Sequence, residues 1–153
     1  MFLVKDTIQK RHEKIRSFLE VDRAIAVLLA AADWEWTVRR AILACGRSSK
    51  KDLRENALRK CHGPIKYAEC WKKEVTPRFH NKLETLIDDW EFFHKDAFQL
   101  RNNLIHGVQG TVGQEYARKR VEFMISASKA IIEFSETNGA HIYGSRIRRV
   151  KSL

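Results

Sequence analysis

A chain of 153 residues is sized for one domain and can bury a core without disulfide or metal staples. With 44% hydrophobic and 31% charged residues but only 7 glycines and 2 prolines, it favours long helices over many short strands joined by turns. The formal net charge of +10 sets up a positive field that draws polyanions, nucleic acid foremost, because each neutralised phosphate releases bound counterions.

The apolar run within the N-terminal MFLVKDTIQKRHEK is too short for a signal peptide. The longest apolar stretch, Ala24 to Ala32, falls well short of the roughly 20 residues that a bilayer span needs. The expectation is a cytoplasmic protein with no membrane contact. Cys45, Cys61 and Cys70 are odd in number and show no C-x-x-C spacing, which argues against a secreted disulfide scaffold. Cys61-His62 and Cys70 lack a fourth partner for zinc, so buried or inert thiols and no metal are expected.

In chain order, residues 5–45 read as one long helix or two nearly collinear ones. Phe18, Val21, Ile25, Leu28, Leu29, Ala32, Trp36 and Leu43 recur there at three- and four-residue steps. Ser49 followed by Asp52 resembles a cap for a second helix carrying Leu53, Ala57, Leu58 and Cys61, which Gly63-Pro64 stops. A shorter helix follows over 65–74. Thr76-Pro77 then signals a helix start, and Phe79, Leu83, Leu86, Trp90, Phe93, Ala97, Leu100 and Leu104 make a heptad-like seam. One helix through that seam would be roughly 40 Å long at about 1.5 Å per residue. After a glycine-rich loop over 107–113, a last helix spans 114–137, with Tyr116, Val121, Met124, Ala127, Ile131 and Phe134 facing inward. The predicted fold is all-α, an antiparallel bundle of four to five helices over 1–140. The basic tail, 141–153, carries Arg146, Arg148, Arg149 and Lys151 without an acid and reads as a disordered or weakly strand-like arm.

The segment that carries chemistry is Arg101-Asn102-Asn103-Leu104-Ile105-His106-Gly107. An i,i+5 pair sits about 140° apart on a regular helix, and Gly107 lets the helix end there. A histidine exchanges protons near neutrality, and an arginine stays charged and forks onto phosphate oxygens. RNA supplies its own nucleophile, the 2′-OH, so such a pair can cleave it without metal. The same spacing also fits two surface groups, with His106 capping the carbonyls at its helix end.

Arg101-Asn102 followed by Leu104-Ile105-His106-Gly107 resembles the R-x4-6-H signature of the HEPN superfamily, small all-helical proteins whose motif lies near the end of a long helix. The resemblance in size, helical pattern and motif position covers most of the chain. It implies a metal-independent ribonuclease without cofactor, active as a homodimer that brings two motifs to one cleft. Arg101 would stabilise the phosphate, His106 would transfer protons and Asn102 would orient the site. Products would be a 2′,3′-cyclic phosphate and a 5′-hydroxyl. Many relatives are toxins of toxin–antitoxin pairs or phage-defence effectors, so an antitoxin or regulatory protein is an implied partner. Others have lost catalysis and only bind RNA, nucleotide or protein.

The family often places a polar or acidic residue on the first helix near the site, a role that Asp33 and Glu35 could serve. The plainer reading is a polar flank to Trp34 and Trp36, which would pack in the core or a dimer contact. Lys95 near the motif and Arg146, Arg148 and Arg149 in the tail are further candidates for RNA contact. Glu91, Lys95 and Asp96 also suit ordinary surface ion pairs. His80 and His94 share one edge of the seam and Tyr143 could stack a base. His12, His62 and His141 carry no supporting context.

Overall fold

A computed structural model describes residues 6–144 and 146–151, and every regular element among them is helical. Helix α1 (Ile8–Ser17) starts at Thr7, whose hydroxyl accepts from the Lys10 N–H at 3.2 Å. It runs through a 3-10 turn (Phe18–Glu20), and Asp22 then caps α2 (Arg23–Cys45) by accepting from the Ile25 N–H. The two helices are therefore not collinear. Arg11 and His12 reach back to Asp33, so α1 folds antiparallel onto α2.

The sequence places Val21, Ile25, Ala32 and Trp36 on the inner face of this segment, and the structure turns them outward. The buried face is Ala26, Val27, Ala30, Ala31, Trp34, Thr37, Val38 and Ala41. From Ala24 to Ala32 the helix is apolar all round, so hydrophobicity alone does not set its phase. Small residues do, because alanines let a neighbouring backbone approach closely. That neighbour is the last long helix, Gln114–Thr137, which is α2's most extensive contact.

Ser49 accepts from the Asp52 N–H, as its spacing predicts, and opens α3 (Lys50–Asp52). The chain continues through a π-turn (Leu53–Ala57) and a 3-10 turn (Leu58–Lys60) before α4 (Gly63–Glu74), which has Pro64 in its first turn.

The seam from Thr76 onward is not one helix. It divides into α5 (Thr76–Phe79), α6 (Leu83–Leu86), and a continuous run of α7 (Trp90–Phe92), a π-turn (Phe93–Ala97) and α8 (Phe98–Ile105). His80 breaks it with φ +57, and the Asn81 carbonyl is taken by the Trp71 indole N–H and the Thr76 hydroxyl. Thr76 thus folds over the loop instead of capping a helix. Asp89 restarts the run with φ +44, its carboxylate accepting from the Phe92 N–H. Leu83, Phe93, Ala97 and Leu100 still face the core. There Trp34 gathers Tyr67, Phe93 and Phe98 with ring centroids 4.8–5.6 Å away.

Helix α9 (Gln114–Thr137) begins beside the start of α2. Arg23 donates to the Val112 carbonyl at 3.2 Å, and Gln114 donates to Glu20. Arg16 forks onto Glu122 at 2.6 and 3.0 Å, tying α1 to α9. Val121, Met124, Ala127, Ile131 and Phe134 are buried as expected, but Tyr116 is exposed, with the Arg120 guanidinium 3.3 Å over its ring.

The tail is docked, not free. Ala140 and Ile142 are buried, and the Tyr143 hydroxyl bonds Thr37. Arg40 donates to the Ile142 carbonyl, Lys50 to that of Ile147, and Arg78 to that of Val150. The start of the first segment at residue 5 and the tail positions 145, 152 and 153 lie outside the described residues. Among the described residues no helix is long and apolar enough to cross a membrane. All three cysteines are buried free thiols.

Candidate active site

The motif closes α8. His106 is the C-cap residue, and Gly107 follows in the left-handed region at φ +68, the conformation its place in the sequence predicts. The Gly107 N–H reaches the Leu104 carbonyl at 3.4 Å and the Val108 N–H reaches that of Asn103 at 2.9 Å, the paired bonds of a Schellman ending. This ending fixes the point where His106 leaves the helix.

Arg101 and Asn102 are half-buried and His106 is exposed. Arg101 Nη1 donates to Asn102 Oδ1 at 3.0 Å. Its Nε and Nη2 have no partner among the described residues, so one arm of the fork is anchored and the rest is open to an anion. The imidazole of His106 likewise has no side-chain partner among the described residues. Residues 101–105 stay α-helical, which sends the Arg101 and His106 side chains off different sides of the helix end. Arg101 and Asn102 are joined by that bond, and no hydrogen bond links either side chain to the His106 imidazole among the described residues.

The acidic candidates on α2 separate. Asp33 is fully buried, and its two oxygens take Arg11 Nε at 2.7 Å and His12 Nε2 at 3.1 Å. Burial works to raise its pKa, but the hydrogen bond from His12 and the charge of Arg11 outweigh that and hold it below the ordinary carboxylate value. Asp33 links α1 to α2 through these two bonds. His12, which lacks context in the sequence, belongs to the same link. Glu35 is half-buried two residues on, facing the other side of α2, and lines a cleft that Arg101 and His106 do not line.

Lys95 is exposed and paired with Glu91, one helical turn away, while Arg120 lies 3.9 Å from Asp96. Arg149 donates to the Gly46 carbonyl, so its charge serves the docking of the tail. Arg146 and Arg148 are exposed. Tyr143 is packed under the Arg11 guanidinium, 3.9 Å from the ring centroid, and burial pushes its phenol up to about 12. It is no base-stacking platform.

The end of the molecule that holds the motif also carries exposed apolar side chains. Val21 (81% exposed) and Val108 (75%) lead them, with Ile25, Ile105 and Tyr116. The 110–112 loop lies against residues 19–24, so the start of α2, the end of α8 and the start of α9 share this end. The sequence points to neither Arg39 nor Arg59, which border the cleft beside Glu35. Their signal is local: Trp36 and Arg39 share the outward side of an amphipathic turn. Compared with models of protein families, with curated proteins and with solved structures, the chain matches none.

Proposed function

We propose that the chain is a metal-independent endoribonuclease of the HEPN type, working as a homodimer and serving as the toxin of a toxin–antitoxin pair or as a phage-defence effector. One observation carries the reading: Arg101-Asn102 and His106-Gly107 stand at the end of α8 with a partly unspent guanidinium and an exposed imidazole. An anion reaching this helix end meets open guanidinium donors, and the basic chain draws RNA toward it.

In this reading the RNA 2′-oxygen attacks the adjacent phosphorus. The 2′-OH proton goes to an imidazole, the bond to the 5′-oxygen breaks, and a proton is delivered to that leaving oxygen. Arg101 takes the charge that builds on the non-bridging oxygens, and Asn102 holds the guanidinium in place. The products are a 2′,3′-cyclic phosphate and a 5′-hydroxyl. Because Arg101 and His106 diverge within one chain, a second copy completes the site: two motifs facing one cleft supply two guanidiniums and two imidazoles. The exposed apolar residues around the motif are the surface on which that copy would sit.

The test compares wild type, Arg101→Ala and His106→Ala on total RNA in EDTA. Cleavage by wild type, lowered about a hundredfold or more in each variant, supports the assignment, with 2′,3′-cyclic phosphate ends on the fragments. Equal cleavage by all three defeats it. No cleavage by any of them, over a range of RNAs, favours a non-catalytic HEPN-like module that binds RNA, nucleotide or a protein. In cells, wild-type expression should arrest growth and His106→Ala should be tolerated.

A further inference from the structure

The outward side of α2 borders a cleft of about 510 Å³, within the roughly 300–1,000 Å³ usual for small-ligand sites. Glu35, Trp36 and Arg39 reach it from α2, Arg59 and His62 from the 50–62 stretch, and Tyr67 from α4. Arg101, Asn102 and His106 do not line it, so this cleft stands apart from the nuclease reading.

Two features distinguish this cleft from a surface dent. First, its arginine is held in position. Arg39 Nη1 donates to the Leu58 carbonyl at 3.1 Å and to the Tyr67 hydroxyl at 3.2 Å, which aims the planar guanidinium, while its Nε and Nη2 have no partner among the described residues. Tyr67 is buried and its phenol pushed up by that burial, so it stays neutral beside the arginine. Second, the other polar groups are unspent. Arg59 and Glu35 make no hydrogen bond among the described residues, and the His62 side chain makes no capping bond although it stands at the start of α4. Trp36 lines the same cleft and is 37% exposed, whereas Trp34 and Trp71 are fully buried.

We propose that this cleft binds a ribonucleotide. The base stacks on the Trp36 indole, the phosphate lies between Arg39 and Arg59, and Glu35 accepts from a ribose hydroxyl. Two guanidiniums against one carboxylate leave the net positive charge a phosphate requires, and an aromatic face beside arginine forks suits a base joined to an anion. The nucleotide comes either free in solution or unpaired within an RNA strand.

AMP and adenosine are titrated into the full chain and followed by tryptophan fluorescence and calorimetry. AMP should saturate and adenosine should bind more weakly. Trp36→Ala should weaken AMP binding about tenfold or more, the usual loss of one base–aromatic stack, and Trp36→Phe should keep most of it. Arg59→Ala should weaken it at least about fivefold and flatten its salt dependence. Both side chains are exposed, and thermal unfolding confirms that the variants fold. The second arm adds a short single-stranded RNA to the His106→Ala chain and measures competition with AMP. Competition assigns the cleft to a nucleotide of the strand, and AMP binding without competition assigns it to a free nucleotide. Absence of saturable binding by either ligand, or binding unchanged in both Trp36→Ala and Arg59→Ala, overturns the proposal.

Discussion

Asp33 shows what a buried charge demands of its surroundings. Its carboxylate sits in the interior of the fold between the Arg11 guanidinium and the His12 imidazole, both also buried. Removing the carboxylate would leave a guanidinium without its counter-charge in a place water does not reach, and breaking such pairs costs about 3–5 kcal/mol. Asp33→Asn should therefore lower the melting temperature sharply while Glu35→Gln, on a side chain free of ion pairs among the described residues, leaves it nearly unchanged. The pH dependence follows from the lowered pKa. The unfolded carboxylate takes up a proton near pH 4, before the folded one does. The stabilisation is complete above that pH and fades as pH falls through the lower folded value. Acid unfolding should be less steep in Asp33→Asn, and an identical acid profile would refute this account. None of it is legible in the sequence. Asp33 lies 22 and 21 residues from its partners, and beside Trp34 it looks like a polar flank. By contrast, Gly107, Ser49 and most of the inward residues of α9 are legible, because caps and periodicity are local.

At the scale of elements, the places where helices form are easier to read from sequence than the way those helices face. Helix α2 carries apolar residues on more than one side, and the side that packs is the alanine-rich one that lets α9 come close. The seam after Thr76 keeps its inward residues but loses its continuity, because His80 and Asp89 adopt left-handed backbone that a heptad pattern does not register. The tail is the furthest from expectation. Its run of arginines suggests a solvated arm, yet the contacts that matter are Ala140, Ile142 and Tyr143 against α1 and α2, with backbone carbonyls collected by Arg40, Lys50 and Arg78. A tail held this way contributes to stability. Ile142→Ala should cost about 2–5 kcal/mol in denaturant unfolding, in the range of buried Ile truncations. Arg148→Ala, on an exposed side chain, should cost under about 0.5 kcal/mol. Equal, small effects would mean that the tail does not pack in solution.

At the scale of the whole molecule, exposed apolar surface and motif lie toward one end. Val21, just before α2, lies close to the loop that follows Val108, Ile25 is exposed in the first turn of α2, and His106 stands where that loop begins. A chain that keeps Val21 81% exposed gains by covering it, and a motif whose two key side chains diverge gains by meeting its copy. Ile25→Glu tests both gains at once. A glutamate there must enter the interface unpaired, and breaking association by burying such a charge should weaken dimerisation about a hundredfold or more. Light scattering should give a dimer for wild type and a monomer for Ile25→Glu at the same concentration, with unchanged helical circular dichroism. RNA cleavage should fall with the loss of the dimer although Arg101 and His106 are intact. AMP binding at the Trp36 cleft should persist, since Ile25 does not line it. A wild-type chain that stays monomeric at high concentration, or an Ile25→Glu chain that remains dimeric, would detach the apolar end from self-association and leave the motif an open pair in a single chain.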